Sequence, residues 1–389
     1  MKKIIYFAIL LCLVMIFPFG VFAEEKKSND ELIPNAVSGI LIDASSGKIL
    51  FEKDKDKKLA VASMTKMVAQ IIIMEKIEEG KIKWSDIVTV SKNAADMGGS
   101  QIYIAEGEKI TIEDLMKGIS MASGNDATVA MAEVISGTEE KFVKLMNNKV
   151  KELGLKNTNF KNCTGLDEDG HYSSAYDMAI IARDLVVNHP GILKFSSVYE
   201  DYLREDTEEK FWLVNTNKLV HFYEGADGLK TGHTDNAGYC LAATSNRNGL
   251  RLIGIVLGES NATVRNNETM ELLDYGYQNV KLNTLKEKGE VVKKIKLDKA
   301  DSEIVEIVLK DDLSVVEEVD SKNNKYEYNI IVKDLKLPVN VGDIVGKIEV
   351  VNSGKVINEV NLTVSKDIKS LSYFKLLMNE LVDLVSGVF

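Results

Sequence analysis

The chain has 389 residues, of which 45% are hydrophobic and only four are proline, so it is neither a low-complexity nor a disordered sequence. That length holds two domains, or one large domain with additions. The formal net charge is −11 and no basic patch stands out, which argues against nucleic-acid binding.

Lys2-Lys3, the apolar run Ile4 to Phe17 and the small-residue box Val21-Phe22-Ala23 predict a signal peptide over 1–23, cleaved after Ala23, and therefore export. An uncleaved N-terminal anchor is the alternative. Cys12 lies in the apolar run without a small residue before it, which argues against a lipoprotein. Residues 24–31 read as a polar tether. Two cysteines then remain, Cys163 and Cys240. They either pair in an oxidising compartment or stay as buried thiols; two are not a disulfide framework. No CxxC or His-rich spacing points to a metal, the histidines (His171, His189, His221, His233) are scattered, and no cofactor is implied.

Val37 to Ile42 and Lys48 to Phe51 flank Ala44-Ser45-Ser46-Gly47, a hairpin signal. Lys53 to Lys58 reads as a charged loop. Ala62-Ser63-Met64-Thr65-Lys66 then opens a run, Met67 to Met74, that is apolar nearly all round and predicts a buried helix. Ala94 to Gly107 reads as a loop. Helices are predicted over Leu115 to Met121 with Thr111 as N-cap, over Ala127 to Ile135, over Glu139 to Leu153, over Tyr176 to Val187 and over Glu268 to Tyr277. Residues 195 to 257 read as strands. The fold class expected is α+β: an antiparallel sheet assembled from both ends of residues 32–280, with helices packed on it. After Val280 the helical periodicity stops. Alternation at Tyr326, Tyr328, Ile330, Val332 and at Val360, Leu362, Val364 predicts a small all-β domain over 285–365, a spacer or docking module. Residues 366–389 carry Leu371, Phe374, Leu377, Met378, Leu381, Val385 and Val388 at helical spacing, interrupted by Lys375, Glu380 and Asp383. That pattern predicts an amphipathic helix lying in a membrane interface, with packing on the β domain or a partner as the alternative.

Ser63 and Lys66 are i and i+3, so on a helix they share a face and the amine can reach the hydroxyl. A serine needs a base to become a nucleophile, and a lysine is a base only where burial or a neighbouring cation keeps it partly neutral. Two further triplets follow in order: Ser123-Gly124-Asn125 between two helices and Lys230-Thr231-Gly232 on a strand. Each alone is weak, a surface loop or helix cap in most proteins. In this order and in these contexts they form the three-part signature of penicillin-recognising serine acyl-transferases.

Together with Gly154 to Thr158, Tyr172-Ser173-Ser174-Ala175 and Asp227 to Thr234, these motifs resemble the low-molecular-mass penicillin-binding proteins, the exported D-alanyl-D-alanine carboxypeptidases that trim peptidoglycan stem peptides. The resemblance covers residues 32 to 280 in motif detail and implies a β-lactamase/transpeptidase-like domain. It implies Ser63 as nucleophile, Lys66 as its base and Ser123 as proton relay to the leaving D-alanine. It implies that Asn125 holds Lys66 and the substrate amide. Lys230 would help keep Lys66 neutral and, with Thr231 and Gly232 of the same triplet, face the substrate carboxylate. The backbone N–H groups of Ser63 and His233 would form the oxyanion hole. Arg265 would sit near the terminal carboxylate, with a surface salt bridge as the rival reading. Asp126 and Asp227 would cap a helix and brace a turn. The implied partners are a stem peptide ending in D-Ala-D-Ala, β-lactams as covalent inhibitors, and the cell membrane through the C-terminal helix. A β-lactamase, a D,D-transpeptidase and a non-catalytic wall-binding module are the alternatives. No Glu-x-x-Leu-Asn follows the second motif, and Glu168 stands in the different context Leu166-Asp167-Glu168-Asp169-Gly170.

Overall fold

The computed structural model of the chain describes residues 32–371, apart from 206, 322 and 323. The predicted signal peptide and tether lie outside these residues, as does the predicted anchor beyond Leu371.

The hairpin forms as β1 (Ser38–Asp43) and β2 (Ile49–Lys53), and the Asp43 carboxylate braces its turn by accepting from both Ser45 and Ser46. A 3₁₀ turn, Ala62–Thr65, leads into α1 (Lys66–Glu78). Every residue of α1 from Lys66 to Met74 is buried, as an all-round apolar pattern requires. The short strands β3 (Ile87–Thr89) and β4 (Lys109–Thr111) pair with each other. Four helices follow: α2 (Ile112–Met121), α3 (Asn125–Ser136), α4 (Glu139–Glu152) and α5 (Ala175–Asn188). Thr111, Thr138 and Ser174 cap three of them by accepting a backbone N–H three residues on, and Gly137 closes α3 in the left-handed conformation. β5 (Glu200–Leu203) and β6 (Phe211–Val214) form a separate hairpin. β7 (Ala226–Thr234), β8 (Gly238–Arg247) and β9 (Leu250–Glu259) then precede α6 (Ala262–Asn279).

The main sheet runs β2-β1-β9-β8-β7, every pair antiparallel, so strands from both ends of the domain meet where β1 pairs with β9. Strand alternation separates two cores. Ile40, Ile42, Ala242, Ile253 and Ile255 face the α1–α5 layer, whereas Leu41, Leu241, Leu252 and Val256 face Leu272 and Leu273 of α6. β7 is the outer strand, next to the 3₁₀ turn, and this adjacency creates the site.

Before Val280 the structure departs from the expected elements in three places. Residues 195–257 are not all strand: Leu219–Phe222 is a helical turn, because the Asn215 and Asn217 side chains accept from Asn217 N and Leu219 N and bend the chain locally. Ser91 caps one helical turn, Lys92–Ala95, at the edge of the expected 94–107 loop. α6 begins at Ala262, six residues before Glu268, because Asn261 accepts from both Thr263 N and Val264 N. Polar Arg265, Asn266 and Asn267 hide that first turn from an apolar-period reading.

The C-terminal strands are β10 (Val280–Lys286), β11 (Val291–Lys296), β12 (Ile304–Leu309), β13 (Leu313–Glu318), β14 (Glu327–Val332), β15 (Gly346–Asn352) and β16 (Lys355–Val364). They form a sheet β11-β12-β16-β15-β14 and a pair β10-β13 around their own core of Val305, Ile307, Val350 and Leu362. Ile368, expected inside the terminal helix, is instead extended: it exchanges backbone hydrogen bonds with Val339 and is buried in this core. Among the described residues no helix is long and apolar enough to cross a membrane.

Candidate active site

Ser63 lies in the 3₁₀ turn just ahead of α1, and Lys66 is the first residue of that helix. Lys66 Nζ is 2.9 Å from Ser63 Oγ, as the i, i+3 spacing requires. The amine is completely buried and donates to Asn125 Oδ1 at 2.7 Å and to the Thr164 carbonyl at 2.6 Å. Burial drives its pKa down to about 7, against the opposite pull of Cys163 and Asp126. A neutral amine has two N–H groups and one lone pair. Both acceptors claim the N–H groups, so the lone pair faces Ser63.

Asn125 opens α3, and its amide is oriented by a second bond, Nδ2 to the Gly98 carbonyl at 2.7 Å. Ser123 stands just before it with φ +62°, a left-handed backbone unusual for serine. Its hydroxyl is buried without a hydrogen-bond partner among the described residues.

Lys230 and Thr231 are on β7, both buried. Lys230 Nζ donates to the Thr231 carbonyl at 3.0 Å, and the Thr231 hydroxyl donates to Thr216 Oγ1 at 2.8 Å. The Lys230 pKa falls well below its ordinary value through burial, with repulsion from Lys66 and Arg265 adding to it. Burial also leads at Lys66, so desolvation, and not the second cation, is the main reason that amine is neutral. A Cβ at Gly232 would lie 2.6 Å from the Val61 carbonyl, so only glycine lets β7 sit against the Val61–Ala62 backbone.

The exposed His233 side chain lies against Tyr239, ring centroids 4.0 Å apart, and among the described residues makes no hydrogen bond to Ser63 or Lys66. Arg265 is buried in the first turn of α6, with Nε and Nη2 donating to Asn266 Oδ1. It makes no ion pair among the described residues, which removes the surface salt bridge as a reading. Asp126 is not the cap of its helix, which follows Gly124 without a side-chain cap; its carboxylate accepts from Ala127 N, Ile102 N and Ile104 N and so straps the 102–104 segment beside the second motif. Asp227 braces no turn; it pairs in bidentate fashion with Arg251 across the sheet, both contacts 2.8 Å.

Four groups in this site escaped the motif reading. Three are backbone carbonyls or small polar side chains: Thr164 O on Lys66, Gly98 O on Asn125, and Thr216 on Thr231. The fourth is Gly165, whose Cβ would stand 2.0 Å from the Ala62 carbonyl, bringing the 162–165 turn against the nucleophile. Asn162-Cys163-Thr164-Gly165 does carry a turn signal, since Asn162 Oδ1 accepts from Gly165 N. Nothing local says that the turn faces Lys66. Cys163 and Cys240 are buried free thiols. A cleft of about 470 Å³ opens beside Val61 and Ala62, walled by Gly165 to His171.

The D-alanyl-D-alanine carboxypeptidase family model matches residues 24–261, and that of the penicillin-binding protein 5 C-terminal domain matches residues 281–370. D-alanyl-D-alanine carboxypeptidase DacF of Bacillus subtilis (strain 168) is 42% identical over 385 residues, covering 98% of this chain and 99% of that protein. Penicillin-binding protein 5 from Haemophilus influenzae superposes with a TM-score of 0.67 at 31% identity, covering 86% of this chain and 98% of that one. Penicillin-binding protein D2 from Listeria monocytogenes, solved in the ampicillin-bound form, does so with a TM-score of 0.57 at 30% identity, covering 62% of this chain and 98% of that one. The motifs, the serine–lysine geometry and both domain matches agree: the chain belongs to the D-alanyl-D-alanine carboxypeptidase family of penicillin-binding serine peptidases.

Proposed function

We propose that this enzyme removes the terminal D-alanine from peptidoglycan stem peptides through an acyl-enzyme on Ser63. The observation that carries the assignment is the position of Lys66 Nζ, 2.9 Å from Ser63 Oγ with its two N–H groups held by Asn125 Oδ1 and Thr164 O. Lys66 takes the Ser63 proton as Oγ attacks the carbonyl between the two D-alanines. The proton passes through Ser123 to the leaving nitrogen, and the C–N bond breaks to free D-alanine. Water then attacks the ester carbonyl, with Lys66 again as base, and the stem peptide leaves.

The backbone N–H groups of Ser63 and His233 stabilise the oxyanion, a contribution of about 2.7–4 kcal/mol per donor. β7 is an outer strand, so alternate N–H groups are free of the sheet, which supports that role for His233. Lys230, Thr231, Gly232 and Arg265 form the carboxylate subsite. Among the described residues the buried Lys230 and Arg265 side chains have no carboxylate partner, which suits an anion that arrives with the substrate, and that anion would raise the Lys230 pKa again. A β-lactam enters by the same attack and stays as a slowly hydrolysed ester.

The N-terminal segment is a signal peptide and the C-terminal segment holds the enzyme on the outer face of the membrane. The sequence patterns over 1–23 and 366–389 support both. The test is labelling by a fluorescent penicillin and D-alanine release from diacetyl-Lys-D-Ala-D-Ala. Ser63→Ala abolishes both; retained labelling in that variant overturns the assignment.

A further inference from the structure

Thr65 sits between Ser63 and Lys66, fully buried. Its hydroxyl lies 2.8 Å from Nε2 of His171. Lys161 N–H donates to the other ring nitrogen, Nδ1, at 3.2 Å. A nitrogen that accepts carries no proton, so the neutral ring holds its proton on Nε2 and donates it to Thr65. The ring packs against Phe160, centroids 5.3 Å apart, and is almost entirely buried. Burial pushes its pKa down to about 4, although Glu168 and Asp167 pull the other way.

The segment that carries His171 also carries Thr164, whose carbonyl takes a Lys66 proton at 2.6 Å. Residues 161–171 are therefore pinned to the 63–66 turn twice, once at Thr65 and once at Lys66. A third contact, Thr234 Oγ1 to Asp167 Oδ1 at 2.8 Å, ties the segment to β7 but is exposed, and water competes with it. Gly165 leaves no slack, since its backbone already touches Ala62. Of the side chains on this segment, His171 makes the one enclosed contact to the nucleophile's own turn that the hydrogen-bond pattern offers.

We propose that His171, as the Nε2–H tautomer, is a positioning residue: its bond to Thr65 sets the 161–171 segment so that the Thr164 carbonyl stays on the Lys66 amine. The proposal rests on the reading of Lys66 as the base for Ser63. If the segment drifts, Lys66 loses one of the two acceptors that aim its lone pair, and water reaches the amine. Hydration restores the ammonium, so the neutral fraction at pH 7 falls. The charged and titratable groups that face Lys66 are Asp126 and Cys163, which favour the ammonium, and Lys230, which opposes it. Asp126 and Lys230 lie on other elements and do not move with His171. Cys163 lies on the 161–171 segment, but burial holds its thiol protonated, so the displaced Thr164 carbonyl is what changes at Lys66.

Two variants separate positioning from packing. In His171→Gln the amide N–H reaches the place of Nε2 and can donate to Thr65. In His171→Asn the shorter side chain can take the Lys161 N–H but cannot reach Thr65. The measurement is the acylation rate with a fluorescent penicillin from pH 5 to 9, for the full chain, both variants and Ser63→Ala. His171→Asn is expected to be about tenfold slower at pH 7, with the acid limb of the profile moved up by about half a unit or more. His171→Gln is expected to return the rate to within about threefold of the unsubstituted enzyme and to restore the limb. A wild-type rate in His171→Asn overturns the proposal. So does an equal loss in both variants with the limb unmoved, which assigns His171 to packing alone. If His171→Asn does not fold, a displaced limb in His171→Gln overturns it and an unmoved limb supports it. Labelling of Ser63→Ala would instead sink the underlying reading of the site, whatever the histidine variants do.

Discussion

Asn125 meets Lys66 through its oxygen and not its nitrogen: Oδ1 accepts from Nζ at 2.7 Å while Nδ2 is committed to the Gly98 carbonyl. The amide therefore cannot flip without losing both bonds. A neutral acceptor in that place directs the Lys66 lone pair without charging the amine. A carboxylate in the same place would direct it and charge it as well.

Asn125→Asp follows from this contact. The new carboxylate stabilises the ammonium and raises the Lys66 pKa from its value of about 7. The base acts only when neutral, so activity is lost below the folded pKa and recovered above it. Acylation at pH 7 should fall by about a hundredfold or more and return in part near pH 9. In the unsubstituted enzyme the rate should fall about tenfold per unit below pH 7. Stopped-time labelling across pH measures both; a profile that stays flat down to pH 5 would rule out Lys66 as the titrating base.

Gly165→Ala tests the close approach behind the nucleophile. The added Cβ would stand 2.0 Å from the Ala62 carbonyl, and the backbone there has φ +85°. Both effects act in the same direction, so the variant should lose about 2 kcal/mol or more of stability and at least about tenfold in acylation. Gly154→Ala is the comparison: its φ is also positive, at +71°, but nothing lies within 4 Å of its Cβ. Thermal unfolding and labelling of the two should separate strain alone from displacement of Ser63. Equal losses in the two variants would contradict the proximity argument.

Glu259→Gln addresses a buried carboxyl away from the chemistry. Both Glu259 oxygens are enclosed beside the Glu268 carboxylate, which accepts from Asn35 and Ala36. Burial, then Glu268, raises the Glu259 pKa to about 8, with Lys53 opposing. A raised folded pKa adds stability below the unfolded value and loses it as pH rises through the folded one. Wild-type Tm should therefore decline between about pH 5 and 8 on account of this group, and the Gln variant should lack that decline. Parallel Tm curves for the two proteins would show that Glu259 ionises without cost.

Truncation after Leu371 tests the membrane anchor. Ile368 must be kept, because it fills the core of the C-terminal sheet and bonds to Val339. The shortened enzyme should move from the membrane to the soluble fraction and keep its activity on a soluble peptide. Membrane retention after that cut, with the leader removed, would refute the amphipathic reading of the terminus.

The sequence by itself determined most of the elements and the order of the motifs. Ser63 and Lys66 are one turn apart, so local helical geometry alone brings their side chains together. The all-round apolar run after Lys66 announces a buried helix, and burial is what makes that lysine a base. Alternation at Tyr326 to Val332 and at Val360 to Val364 likewise foretold the separate C-terminal β core. Contacts between residues far apart in the chain were decided only by the tertiary structure. Thr164 reaches Lys66 across 98 positions and His171 reaches Thr65 across 106, and both meetings depend on how α1, β7 and the 161–171 segment pack. A backbone carbonyl has no residue-specific signature, since every residue carries one. Its role as a ligand for the catalytic amine is therefore written in packing and cannot be read from any motif.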